Sequence, residues 1–240
     1  MSEAPGADLG VPPRERRAIL RDGLGVGIAT GAYGVSFGAV SVAAGLSVAQ
    51  TCALSLLVFT GASQFALVGV VASGGAPLAG AATALLLGTR NALYGLRLAP
   101  LLGWRGWRRV VGAQLVIDES TAMASVHDDG PRARLGFLST GLAVFVLWNA
   151  MTLVGALAGE ALGDPRTYGL DAAVGAAFLG LLWPRLDTLL ARLVALGAAA
   201  VALGVVPLTP AGAPVLVAAV VPVLAGLLAP RAAVGREEPT

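Results

Sequence analysis

Between Leu85 and Pro100 the chain reads LLLGTRNALYGLRLAP, and this stretch constrains the fold more than any other. It lies inside a long apolar run, yet carries Arg90 near its middle and Arg97 seven residues later. Seven residues is close to two helical turns, so on a helix the two guanidiniums share nearly one face. Arginine keeps its proton, because its pKa lies above about 12. At the centre of a hydrocarbon layer it costs roughly 2.5–3.5 kcal/mol on insertion scales. Any fold must therefore bring water, a carboxylate or carbonyl oxygens to Arg90. The next polar cluster along the chain, Asp118 and Glu119, is the candidate source. Arg97 lies a turn from Pro100 and has a second way out, which is to snorkel to the interface.

The hydrocarbon layer itself follows from hydropathy. Of 240 residues, 56% are hydrophobic and 12% charged, with a mean hydropathy of +0.80. Soluble domains carry about a quarter charged residues. Several apolar stretches exceed the roughly 18 residues that mark a transmembrane candidate. The predicted fold class is an all-α polytopic integral membrane protein with about seven apolar segments, one of them re-entrant or broken. The alternating segments of a β-barrel are absent from the sequence. The formal net charge is +2, and the arginines are scattered between apolar runs without forming a stripe, so no nucleic-acid partner is expected. Cys52 is the sole cysteine and His127 the sole histidine. That excludes an internal disulfide, a cysteine cage and a histidine-rich metal site, and no cofactor or metal is expected.

Three regions are predicted along the chain: a cytoplasmic tail over 1–21, a membrane transport domain over 22–230 and a polar tail over 231–240. The opening MSEAPGADLGVPPRERR reads as disordered. Arg14, Arg16, Arg17 and Arg21 place the N-terminus in the cytoplasm by the positive-inside rule. The apolar run that follows lacks a small-residue cleavage site and is expected to be retained as a helix. Run 22–44 has small-xxx-small spacing at Gly27–Gly31 and Gly34–Gly38, which suits either close helix packing or a wall open to a substrate path. Run 50–73 contains FTGASQFA, where Gly61 weakens the helix and Ser63 and Gln64 are polar at depth. Either the helix breaks there beside a cavity, or these side chains bond a neighbouring helix.

Run 78–102 bears the two arginines, and GWRGWRR after it marks a cytoplasmic side through Arg105, Arg108 and Arg109. Two cytoplasmic ends require an even number of crossings, but three runs lie between them. Run 50–73, breaking at Gly61–Gln64, is the one expected not to cross. Residues 110–126 form a weak span holding Gln114, Asp118, Glu119, Ser120 and Thr121. HDDGPRAR, from His127 to Arg134, reads as a polar loop, and 135–160 as a span containing Trp148 and Asn149. Further spans are expected over 170–187, 188–206 and 211–229.

The polar set at membrane depth combines a fixed cation, two acids and neutral hydrogen-bonding groups among aliphatic residues. That combination suits a zwitterion with an apolar side chain. A guanidinium or a half-helix N-terminus takes a carboxylate, and an acid or carbonyls take an ammonium. An acid at depth can also carry a proton. The same residues suit a structural ion pair, Arg90 with Asp118 or with Glu119.

Three segments in order, FTGASQF, then TRNALYGLRLAP, then IDESTAM, resemble the AzlC family of branched-chain amino-acid transporters, with AYGVSFG and AAGLS near the first span adding to the likeness. The resemblance covers roughly residues 30–130. It implies a permease of the bacterial inner membrane that exports apolar amino acids with a small AzlD-type membrane partner. Carried onto this sequence, it points to Ser63 and Gln64, Arg90, and Asp118 with Glu119. The expected substrate-binding residues are Gly61, Ser63, Gln64, Arg90 and Asn91, with Asp118 and Glu119 as proton-coupling or ion-pair residues. Two other classes use the same features. One is an intramembrane enzyme acting on a lipid-linked phosphate, although no Ser–His pair or histidine metal set accompanies the arginines. The other is a non-transporting membrane subunit.

Overall fold

The computed structural model describes residues 10–162, 179–180, 182–209 and 213–228, and all regular structure among them is helical. Helix α1 runs Pro13–Ala43. Proline suits the first helical position, because its fixed φ is helical and its missing N–H has no partner there to lose. The reading of residues 1–17 as a disordered tail is thus corrected from Pro13 onward. Those residues form the first turns of α1, and Glu15 is tied to Arg132 at 2.6 Å.

Helix α7, Gly130–Leu162, is the partner of α1 along its length. The two run parallel. Gly23, Gly27, Gly31 and Gly38 face Thr140, Ala143, Leu147 and Ala156 in that order. A Cβ added at Gly27 or Gly31 would stand 2.5 Å from the Cβ of Ala143 or Leu147, closer than such atoms pack. Of the two readings of the glycine stripe, these positions take close packing: the glycines are filled by α7 and leave no open wall there.

Parallel helices put their N-termini at one end, and helix α4, Pro77–Leu102, arrives at that same end antiparallel to them. Arg134 Nε donates to the Leu102 carbonyl at 2.6 Å. This basic end gathers Glu15-bound Arg132, Arg134 and the arginines of the 103–109 loop.

Between α1 and α4 lie two short helices, α2 (Val48–Leu57) and α3 (Ala62–Ala72). Their contacts trace a hairpin entering from the opposite end. Along α2, Ser55 bonds Thr152 at 3.4 Å, and Phe59 just beyond it meets Phe145 at 5.0 Å, so the chain descends toward the middle of α7. Helix α3 then climbs back along α4, with Ser63 opposite Gly88 and Leu67 opposite Gly80. Run 50–73 therefore turns back without traversing the molecule, which removes the odd crossing that the arginine distribution disallowed. The break spans Val58–Gly61, a turn earlier than expected, and Ser63 and Gln64 belong to the first turn of α3. Gly61 sits at φ 62°, ψ −87°, a conformation closed to residues with a Cβ.

A second hairpin enters from the basic end and corrects the reading of 110–126 as one weak span. It comprises α5 (Trp107–Ala113) and α6 (Asp118–Ser125). Leu115 near its tip packs on Gly141, and Met123 on the way back packs on Gly136. No glycine makes this break. Ile117 is simply extended, and Ser120 Oγ accepts the Ile117 N–H at 3.1 Å while donating to the Leu115 carbonyl at 2.5 Å. One hydroxyl thus serves two backbone groups that the missing helical turn leaves over.

After α7 the described chain resumes with a 3₁₀ turn, Trp183–Arg185, then α8 (Leu189–Val205), α9 (Ala213–Ala218) and α10 (Val220–Leu228). Most of the predicted 170–187 span lies outside the described residues, and the 211–229 run is divided between α9 and α10. Three described helices are long and apolar enough to cross a membrane: Pro13–Ala43, Gly130–Ala161 and Leu189–Leu208. Phe37, Phe65 and Trp148 form the aromatic centre where α1, α3 and α7 meet, with ring centroids 5.4–6.3 Å apart.

Candidate functional site

The two hairpins come in from opposite ends and meet tip to tip. Gln114 Nε2, at the tip of the basic-end hairpin, donates to the Leu56 carbonyl of α2 at 2.9 Å. The open end of α2 receives two more side chains. Arg90 Nη2 donates to the Thr60 carbonyl at 3.4 Å, and Gln64 Nε2 to the Leu54 carbonyl at 3.3 Å. Gln64 Oε1 also accepts the Gly61 N–H at 3.1 Å, so one buried amide closes the turn on both sides. A helix broken at membrane depth must find partners for its loose backbone groups, and these polar side chains are those partners.

The charges gather at the same place. Arg90 Nη1 and Arg185 Nη2 both lie 3.1 Å from Asp118 Oδ2. Arg90 and Asp118 are 29% and 27% exposed, Arg185 61%, so the group stands at a cavity wall and is only partly dry. Two guanidiniums meet one carboxylate here; with Glu119 counted, the four groups sum to zero when Glu119 is ionised and to one positive charge when it is protonated. Glu119 has no cation within bonding distance among the described residues, and its Oε1 accepts from the Thr30 hydroxyl of α1 at 3.4 Å. Helices α3 and α6 both begin here, so the positive ends of two helix dipoles face the cavity, and the two acids occupy the first turn of α6, where that dipole favours them.

These groups enclose about 380 Å³, a volume suited to a small molecule. Phe59, Phe65, Val144 and Trp148 make its apolar side. Among the described residues, four buried atoms of lining side chains have no hydrogen-bond partner: Thr60 Oγ1, Arg90 Nε, Asp118 Oδ1 and Trp148 Nε1. The arrangement offers a ligand two guanidiniums, a carboxylate that no arginine holds among the described residues, and an apolar wall.

Of the residues singled out from sequence, Gly61, Arg90, Asp118 and Glu119 line this cavity together. Ser63 and Gln64 are fully buried behind it in α3. Asn91, adjacent to Arg90 and therefore about 100° around the helix, lines a different cavity of about 370 Å³. Arg97 is exposed and lines neither cavity. Sequence reasoning missed Arg185, Thr30 and Trp148 as lining residues. Only Arg185 carried a signal, being an arginine inside a predicted span, as Arg90 is.

Among known proteins, the family model described as AzlC protein matches residues 25–162, more than half of the chain. The match takes in most of α1, both hairpins and α4 through α7, and stops before Arg185. No curated protein and no solved structure gives a match.

Proposed function

The chain belongs to the AzlC family, and from that premise we propose that it is a secondary transporter exporting branched-chain or similar apolar amino acids in exchange for protons. The single observation that carries this reading is the Asp118 carboxylate held by Arg90 and Arg185 where the two hairpin tips meet. The substrate carboxylate takes the spare guanidinium charge and the N-terminal ends of α3 and α6. Its side chain lies against Phe59, Val144 and Trp148. Of the two acids, Asp118 is engaged by both arginines, whereas Glu119 accepts from the Thr30 hydroxyl and has no ion pair among the described residues, so Glu119 is assigned the proton. The basic end is assigned to the cytoplasm of a bacterial inner membrane by the positive-inside rule, and a small AzlD-type subunit is the expected partner.

The test is efflux from cells that lack their own exporters, loaded with valine-, leucine- or methionine-containing dipeptides and expressing the chain with its partner. Faster efflux is expected, abolished by an uncoupler and by Arg90→Ala while the variant still inserts in the membrane. Efflux unchanged by Arg90→Ala would overturn the site assignment. Efflux absent with the partner present would overturn the substrate class.

A further inference from the structure

The second cavity lies between α4, α5 and α7, on the other side of the basic-end hairpin from the first. The two are neighbours: Arg90 lines one and Asn91 the other, and Ile117 lines one and Val116 the other. On α7 they are seven residues apart, Phe137 against Val144, which is about 10 Å along the axis and toward the basic end. The second cavity thus lies between the Arg90–Asp118 site and the arginine-rich surface, with the hairpin tip as the partition.

Its lining sets one cation and one amide among apolar groups, without the carboxylates of the first cavity. Arg109 supplies an exposed guanidinium with no ion pair among the described residues. Asn91 Oδ1 is buried and without a hydrogen-bond partner among the described residues, an acceptor without a donor. Leu98 and Phe137 supply apolar wall. A lone buried acceptor is costly unless something donates to it. An ammonium group does so, and a guanidinium at the same cavity takes a carboxylate.

We propose that this cavity is a second binding site for a zwitterionic apolar amino acid, where Asn91 receives the ammonium and Arg109 the carboxylate before the substrate passes the hairpin tip to Arg90 and Asp118. The inference rests on the transport reading for its substrate class, but predicts binding that survives loss of the deeper site.

The experiment uses single-cysteine protein in membrane vesicles, with its partner present. Cys52, the sole native cysteine, is replaced by alanine, and Ala113, an exposed lining residue of this cavity, by cysteine. A membrane-impermeant methanethiosulfonate is expected to label Ala113→Cys in inside-out but not right-side-out vesicles. Leucine at about ten times its dissociation constant should slow labelling about tenfold. Adding Arg90→Ala should leave that protection in place, while adding Asn91→Ala or Arg109→Ala should remove it. Protection lost with Arg90→Ala would mean one site read from a distance, and would overturn the proposal. So would labelling from the outer side only, or cysteine shielded without leucine and freed by delipidation, which marks a lipid tail in the cavity. Leucine protection without efflux would fell the transport reading and leave this site standing. Efflux without protection would do the reverse.

Discussion

The two hairpins solve one problem by opposite means. Each must turn the backbone around at depth and leave helix ends without partners. The α2–α3 hairpin turns on Gly61 and has its loose carbonyls covered by side chains from elsewhere, Arg90 and Gln114, with Gln64 from within. The α5–α6 hairpin turns without positive φ, closes itself through Ser120, and spends its tip on two acids. One contributes backbone geometry, the other charge. The difference predicts that damage to the first hairpin is felt as lost stability, and damage to the second first as lost function.

The largest effect should come from Asp118→Ala, which strands two guanidiniums. Efflux should fall to background. A variant that still transports would remove the charged tip from the mechanism. Next is Gly61→Val, which forces a branched residue into a forbidden backbone region and should cost about 1–3 kcal/mol in thermal unfolding. The matched change at the other tip, Ile117→Val, should cost about 0.5–1.5 kcal/mol, since its backbone is ordinary. Equal losses at the two tips would break the comparison.

Gln64→Leu should follow, at about 1–2 kcal/mol, because it leaves the Gly61 N–H unbonded in a half-buried turn. Gln114→Leu, at an exposed position, should cost about 0.5–1 kcal/mol. The smallest effect lies at the base of the second hairpin. The Arg132 backbone N–H and guanidinium hold the Asp129 carboxyl below its ordinary range. A depressed carboxylate stabilises above its unfolded value and loses that contribution as pH falls through its folded one. The melting temperature should therefore exceed that of Asp129→Asn at neutral pH, with the gap closing in acid. A gap that widened on acidification would reverse the assignment.

Much of this was legible in the sequence because charge in an apolar run has few resolutions. Arg90 demanded a partner, the sequence offered Asp118 or Glu119, and Asp118 is the one it meets. The parity of arginine-rich loops asked that one of three runs not cross, and the Gly61–Gln64 stretch singled out run 50–73. What stayed hidden has physical reasons. The α5–α6 break is made by a serine hydroxyl, which resembles any other serine in a weak span, whereas Gly61 announces itself. Asn91 seemed to belong with Arg90 because the two are adjacent in sequence, although adjacency on a helix means separate faces. Gln64 was placed among substrate ligands on its polarity and on the family resemblance, and neither pointed to the backbone three residues away that it bonds. Arg185 belongs to a stretch read only as a span, and its distance from Asp118 along the chain gave no hint of their contact.

The parallel pairing of α1 with α7 has a consequence for how the chain is made. Gly23 leaves the ribosome more than a hundred residues before Thr140, its contact across the seam. At synthesis rates of 5–20 residues per second, the delay is roughly 6–23 s. During that interval the glycine groove has no neighbour of its own chain, and Arg90 leaves before both Asp118 and Arg185. The insertion machinery must therefore shelter an unfinished half, and assembly of the molecule waits on its middle helix.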